Sequence, residues 1–414
     1  MLIDIGPLKK YRDYRLLFMS QLVSFFGTMI SYVAIPYQVY ELTKSSWMVG
    51  LLGSVQLIPV VLFGLLGGAY ADKLDRRKLL IGSEIVMSAG VLVLFINSTF
   101  ASPSLVVIFV ATALIQSALG FHRPAMDAMT QKMVTKEDMA SVSALGSFRY
   151  SVGSIAGPAL GGILIAGFGS KIAYLIDFGT FVFSVITIWM MSKTSISETE
   201  KKDEAGSIAE GLRYAIKRPE LVGTYVVDVV AMTFAFTTAL FPAMAEQWGG
   251  AKAAGALFSA MSIGALVMTV FSGWARHVKR HGAAVIIAAG IWGVAMIGVG
   301  FSYSLEFALL GLAVAGAADM VSGMFRGTIW NQTIPNEMRG RLSGIEMISY
   351  MSGPLIGNAR AGWVASVSST HVSIVSGGIL CVIGVVICGF VLPQFWRYTQ
   401  APEVAPLAGS TGGV

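Results

Sequence analysis

The chain holds twelve apolar runs long enough to cross a bilayer, and nothing else in it constrains the fold so strongly. About 30 Å of hydrocarbon takes roughly 20 residues as helix. Runs that meet this length lie at 14–41, 47–71, 78–98, 104–130, 138–166, 170–192, 220–246, 252–275, 283–302, 306–333, 342–367 and 371–394. They are continuously apolar, whereas barrel strands would alternate over ~10 residues, so helices are predicted. Composition agrees: 13% of residues are charged, against about 25% in a soluble protein. This excludes a water-soluble enzyme, a nucleic-acid binder and a disordered chain. The predicted fold class is an all-α membrane protein of twelve transmembrane helices.

Lys and Arg set the orientation. With the amino terminus cytoplasmic, 24 of the 29 basic residues collect at inner segments, Arg123 and Arg326 among them. Lys44, Lys171 and Lys252 fall at the outer face, and Arg149 and Arg360 fall inside spans. The bias satisfies the positive-inside rule and puts both termini in the cytoplasm. The first apolar run is too long for a cleavable signal core and reads as an anchor.

The longest polar stretch, 193–219, divides the spans six and six. The predicted organisation is a bundle over 1–192, a cytoplasmic linker over 193–219 with an amphipathic surface helix, a second bundle over 220–398, and a disordered tail over 399–414. The halves echo each other. The fifth span carries Gly153, Gly157, Pro158, Gly161 and Gly162, and the eleventh carries Gly353, Pro354 and Gly357. A shared Gly-Pro-x-x-Gly supports duplicated six-helix units, related by an axis along the membrane normal.

The turn after the second span reads Gly68-Ala69-Tyr70-Ala71-Asp72-Lys73-Leu74-Asp75-Arg76-Arg77-Lys78. It resembles the signature loop of the major facilitator superfamily. The resemblance implies a cytoplasmic latch built on Gly68, Asp72, Arg76 and Arg77, with Asp75 standing where the family commonly has a second Gly. The equivalent loop of the second half keeps Gly273 and its basic residues but has His277 in place of the acid. The Gly-Pro run of the fifth span resembles a motif of the superfamily's exporters, either a hinge or plain helix packing. Phe121-His122-Arg123-Pro124, Lys136-Glu137-Asp138-Met139 and Pro335-Asn336-Glu337-Met338-Arg339-Gly340-Arg341 look like the efflux branch that contains bacterial macrolide exporters and the enterobactin exporter. The resemblance implies a multi-pass transporter of a bacterial inner membrane, monomeric, working among membrane lipids on an organic small molecule, with no cofactor.

Ionisable groups within spans are costly and usually face a cavity. At ~1.5 Å of rise per residue, Arg149 and Asp319 fall near mid-membrane, while Asp228 and Asp177 are shallower on the inner and outer sides. Burial and a neighbouring Arg act in opposite senses on a carboxyl's proton affinity. Asp319 or Asp228 is therefore a candidate proton carrier, with Arg149 adjusting it or meeting an anionic substrate; a structural ion pair is the competing account. Asp127, Glu84 and Glu346 read as gate or latch partners, or as solvated interfacial groups. Gln21, Thr28, Tyr32, Phe234, Thr237 and Asn331 mix aromatic and polar groups in the manner of a cavity for an amphipathic solute, although such stripes also serve ordinary packing.

No Gly-rich nucleotide loop and no nucleophile elbow occur in the sequence, so an ion gradient is the expected energy source and no enzymatic chemistry is expected. The histidines read as loop charge rather than metal ligands. Cys381 and Cys388 lie seven apart and read as packing residues. The leading expectation is an exporter working by alternating access in exchange for protons. A lipid flippase on the same fold would show lipid-dependent, proton-indifferent activity, and an importer remains open.

Overall fold

A computed structural model describes residues 4–71, 75–192 and 208–399. The described residues are helical, with twelve long helices. The first six are α1 (Arg12–Thr43), α2 (Ser46–Ala71), α3 (Arg76–Asn97), α4 (Leu105–Met133), α5 (Met139–Phe168) and α6 (Ser170–Trp189). The second six are α7 (Pro219–Ala235), α8 (Ala251–Val270), α9 (His281–Gly300), α10 (Leu305–Thr333), α11 (Asn336–Val367) and α12 (Thr370–Val391). Eleven qualify as spans on length and apolarity among the described residues. The other, α11, has 32 residues and packs along α2 and α7.

Packing shows the duplication. In the first half α1 packs on α5 and α6, α2 on α4, and α3 on α4 and α6. Each pair has its counterpart six helices later: α7 on α11 and α12, α8 on α10, and α9 on α10 and α12. The two large contacts between halves, α2 with α11 and α5 with α8, are likewise equivalent. Two copies of one six-helix unit joined about a pseudo-twofold axis produce this pattern.

Local chemistry explains the ends. Asp75 caps α3, its carboxylate accepting from the backbone N–H of Arg77 at 3.0 Å and of Lys78 at 3.3 Å. The aspartate at the second-Gly position of the loop thus supplies a side-chain acceptor that a glycine lacks. Gly169, at φ 76°, makes the joint between α5 and α6.

The seventh run departs from expectation. The continuous span predicted at 220–246 breaks after Ala235, passes through a 3-10 turn at Thr238–Leu240 and resumes at Phe241–Glu246. In an unbroken helix the Pro242 ring would strike the carbonyl of Thr238, so Pro242 opens the second piece instead. The predicted 252–275 run also ends early, α8 giving way to a 3-10 segment at Ser272–His277.

Of the linker, 193–207 lies outside the described residues, as does the tail from 400. The expected surface helix forms over Ile208–Ile216. It docks by buried Ala215 and by the Tyr214 hydroxyl, which donates to the Thr333 carbonyl at 2.8 Å, and it leaves Leu212 and Ile216 outward. Cys381 and Cys388 are buried and unbridged, as packing residues would be.

Candidate functional site

The two halves close on each other at the end opposite the chain termini, through backbone. At the α5–α8 crossing, a Cβ added to Gly162 would lie 2.5 Å from the Ala251 carbonyl oxygen and 2.9 Å from Gly255 Cα. At the α2–α11 crossing, a Cβ on Gly362 would lie 2.5 Å from the Ser46 carbonyl oxygen and 2.9 Å from Gly50 Cα. Small residues matter here because lipid offers no hydrophobic drive for helices to associate, so close backbone packing carries the contact. An ion pair spans the same end: Lys44 donates to Glu246 at 2.7 Å and the Tyr40 hydroxyl donates to Glu246 at 2.8 Å. The hydrogen bond to Glu246 raises the Lys44 pKa above the ordinary lysine value.

Below the closed end an open space separates the halves. Tyr32 is 43% exposed although it sits well inside α1, and its ring meets Phe258 edge-on at 5.2 Å. Phe258 in turn meets Phe241 edge-on at 5.0 Å, one turn beneath the Gly255 crossing. Tyr150 of α5 is 63% exposed and stacks on Phe25 at 5.6 Å. Across from it on α10, the Asp319 side chain is 43% exposed. Tyr150 and Asp319 lie within electrostatic reach of each other. An ionisable group inside a span faces a cavity rather than lipid, and Asp319 with Tyr150 opposite it marks that cavity's wall.

Asp319 belongs to a charge cluster. Arg326, only 8% exposed, bonds to Asp228 of α7 and approaches Asp319 to 3.7 Å. Asp319 and Arg326 are seven residues apart and so share a face of α10. The expected partnership of Arg149 with Asp319 or Asp228 is not formed, and Arg326 is not a charge at the inner surface. Depth along a span carries no information about which helix face a carboxylate occupies. Arg149 instead lies near Asp127 in the first half, with Nη1 3.6 Å from the Met126 sulfur.

The first half has a buried polar cluster of its own. Glu84 of α3 is fully buried and accepts at Oε1 from Gln21 of α1 and from His122 of α4, both at 2.9 Å. Three expectations fall here. Glu84 is not an interfacial latch group, His122 is not loop charge, and Gln21 does not line the cavity. The physical reason is facing: His122 lies on the buried side of α4, well before its end at Met133, and meets Glu84 inside the bundle. The sequence signal was present in a Glu and a His each lying inside an apolar run.

The remaining candidates separate. Asp177 is buried between α1 and α6, accepting from Ser31 and, at 3.3 Å, from the Thr180 hydroxyl. Thr28 bonds its own helix at the Ser24 carbonyl. Phe234 packs against the core, and Thr237 is buried rather than cavity-lining. Asn331 is exposed in the last turn of α10. His281 is also buried, against Phe325 and Tyr398, and not part of a solvated basic loop. In the latch loop, Gly68 falls on the last turn of α2 and Asp72 lies outside the described residues. Arg76 opens α3, while Arg77 donates to the carbonyls of Ile188 at 3.3 Å and Trp189 at 2.5 Å, serving the carboxyl end of α6.

The Gly-Pro segments pack as equivalents. Cβ atoms on Gly153, Gly157 and Gly161 would strike Phe25, Met29 and Ile30 of α1, and those on Gly353 and Gly357 would strike Met232 of α7. Pro158 and Pro354 lie within their helices.

The family model described as "Transmembrane secretion effector" matches residues 4–405. The enterobactin exporter EntS of Salmonella typhi is 26% identical over 416 residues, covering 98% of each chain. That of Escherichia coli O6:K15:H31 is 26% identical over 418 residues, covering 99% of each. Among solved structures, a bacterial homologue of the lysosomal transporter Spinster superposes with a TM-score of 0.73 at 13% identity, covering 97% of this chain and 100% of its own. A bacterial homologue of the iron transporter ferroportin gives 0.70 at 14% identity, covering 94% and 99%. With the duplicated six-helix fold and a full-length family match together, the chain belongs to the transmembrane secretion effector family of major facilitator transporters, proteins of transport and not of catalysis.

Proposed function

We propose that the chain is a secondary active exporter of an organic small molecule, working by alternating access in exchange for protons. The bias of basic residues supports cytoplasmic termini, an orientation that turns the Gly-sealed end outward and lets the cavity take its substrate from the cell side. Asp319 carries the reading. It is an ionisable group on the cavity wall, held by an arginine that also holds Asp228. A proton arriving on Asp319 weakens its attraction to Arg326 and leaves Arg326 to Asp228, which changes the cavity's charge as the access side changes. The exposed rings of Tyr32 and Tyr150 suit a solute with extended rings, and the enterobactin exporters at 26% identity make a siderophore the first substrate to try, ahead of drugs. One chain supplies both walls, so a monomer suffices. Proteoliposomes with an imposed pH difference test this. Asp319→Asn should abolish pH-driven movement of enterobactin or of a macrolide while leaving the protein folded. Retention of full pH-driven transport would remove Asp319 from the mechanism.

A further inference from the structure

The Glu84–His122–Gln21 cluster lies apart from the cavity charges, in the other half of the molecule, and the transport reading above makes no use of it. Glu84 Oε1 and His122 Nε2 stand 2.9 Å apart. A carboxylate oxygen and a bare imidazole lone pair would repel at that distance, so a proton must lie between them. The Gln21 amide fills a second acceptor direction of Oε1 at 2.9 Å and also lies 3.3 Å from His122 Nε2. Glu84 Oε2 is buried with no hydrogen-bond partner. Glu84 therefore lacks the full set of donors that a buried carboxylate ordinarily takes, one oxygen being doubly served and the other unserved.

We propose that Glu84 and His122, positioned by Gln21, form a second proton-binding site inside the first six-helix bundle. Loaded, the pair holds one proton, shared as carboxyl with imidazole or as carboxylate with imidazolium, and is neutral. Unloaded, it is a carboxylate accepting from the Nε2–H of a neutral ring, with a net charge of −1; the proton that leaves to water is that of the imidazolium Nδ1, so Nε2–H stays between the pair. The groups that face the site set its affinity. From α4, Asp127 and Arg123 lie near His122, with Arg149 of α5 acting on the same carboxylate. From α6, Asp177 lies within electrostatic reach of Glu84. α2 brings no ionisable side chain among residues 46–63.

The second half supports the assignment. Arg326 sits on α10, the counterpart of α4, and Asp228 on α7, the counterpart of α1. Each half thus carries a buried polar cluster between its first and fourth helices. In the second half a permanent cation fills the place, and in the first a titratable ring does, so the first can gain and lose a proton where the second holds a fixed ion pair.

The site deepens the proton-exchange reading, but its test does not need the substrate. Purified full-length protein in nanodiscs is titrated with acid and proton uptake is counted between about pH 5 and 9. Glu84→Gln, nearly isosteric, should bind about one proton fewer than wild type across that window. His122→Asn, which keeps the carboxyl but removes the ring that shares its proton, should move the midpoint of that uptake. Asp319→Asn should leave this uptake in place, which separates failure of the second site from failure of the cavity reading. An uptake curve for Glu84→Gln with the wild-type proton count, or one for His122→Asn that superimposes on wild type, would overturn the proposal.

Discussion

The Gly162–Gly255 crossing offers a quantitative perturbation of the seal between the halves at the end opposite the chain termini. In Gly162→Ala the new methyl would lie 2.5 Å from the Ala251 carbonyl oxygen and 2.9 Å from Gly255 Cα, where ordinary contact begins at 3.4 Å. Both neighbours are backbone, so no side chain can turn aside, and the helices must part by roughly 0.9 Å to restore contact distance. Overpacking of this kind costs about 1–3 kcal/mol. The cost falls on the sealed conformation alone, because the methyl is free once α5 and α8 separate at this end. The gain in helix propensity from Gly to Ala, about 0.5–1 kcal/mol, acts in both conformations and cancels in their ratio. At 1.4 kcal/mol per tenfold, the population sealed at the outer end should fall by about 5- to 150-fold relative to the open one.

Distances between spin labels at Glu41 and Gln247, both exposed at the outer rim of opposite halves, report the ratio directly. Gly362→Ala should act in the same direction at the α2–α11 crossing, where Ser46 and Gly50 present the same backbone obstacles. Gly146→Ala, on the same helix as Gly162 but with open space about its Cβ, is the control and should leave the distances unchanged. If Gly162→Ala and Gly146→Ala give the same distance distribution, close backbone approach does not hold the seal.

Two further perturbations follow from the charges. Arg326→Met leaves Asp228 buried without its cation and should lower stability by about 3–5 kcal/mol, while Arg326→Met combined with Asp228→Asn should recover most of that loss; thermal melts of the four variants close the cycle, and additive effects would deny the pair. Lys44→Ala should move the rim distances much less than Gly162→Ala, because an exposed ion pair is screened by solvent and contributes little. The pH sense follows from Lys44, whose pKa is raised by its bond to Glu246: the pair's contribution is complete below lysine's ordinary value of about 10.4 and fades as pH rises through the higher folded value. Label distances that respond to alkali near pH 8 would contradict this.

How much of this was legible beforehand depends on what a membrane helix conceals. The number of long helices and the equivalent packing of the Gly-Pro segments follow from length and order along the chain, and both appear in the structure. Facing does not. A soluble helix shows its buried stripe by alternating with polar residues, but in hydrocarbon the lipid side and the protein side are both apolar, so the period carries little information. Position along the run therefore does not reveal that Arg326, seven residues before the end of α10, and His122, inside α4, turn their side chains into the protein. Gly50, Gly255 and Gly362 went unremarked for a different reason: among 47 glycines, spacing alone does not say which meet another backbone.

The placement of the ionisable groups and of the seal has a mechanical consequence. The polar clusters lie between first and fourth helices, Gln21 and His122 in one half and Asp228 and Arg326 in the other. The contacts that shut the end opposite the chain termini belong to α2, α5, α8 and α11. On the proposed proton-exchange reading, protonation and closure are carried by different helices, and a change at one must reach the other through packing. The helices that join them most directly are α1 against α5 and α7 against α11, and those contacts are made by the Gly-Pro segments, where a missing Cβ lets Met29 and Met232 seat against the facing helix. A proline within each of α5 and α11 removes one backbone bond beside that contact. A shift of α1 or α7 is therefore passed to a helix already weakened at the point of contact, one to three turns below its seal.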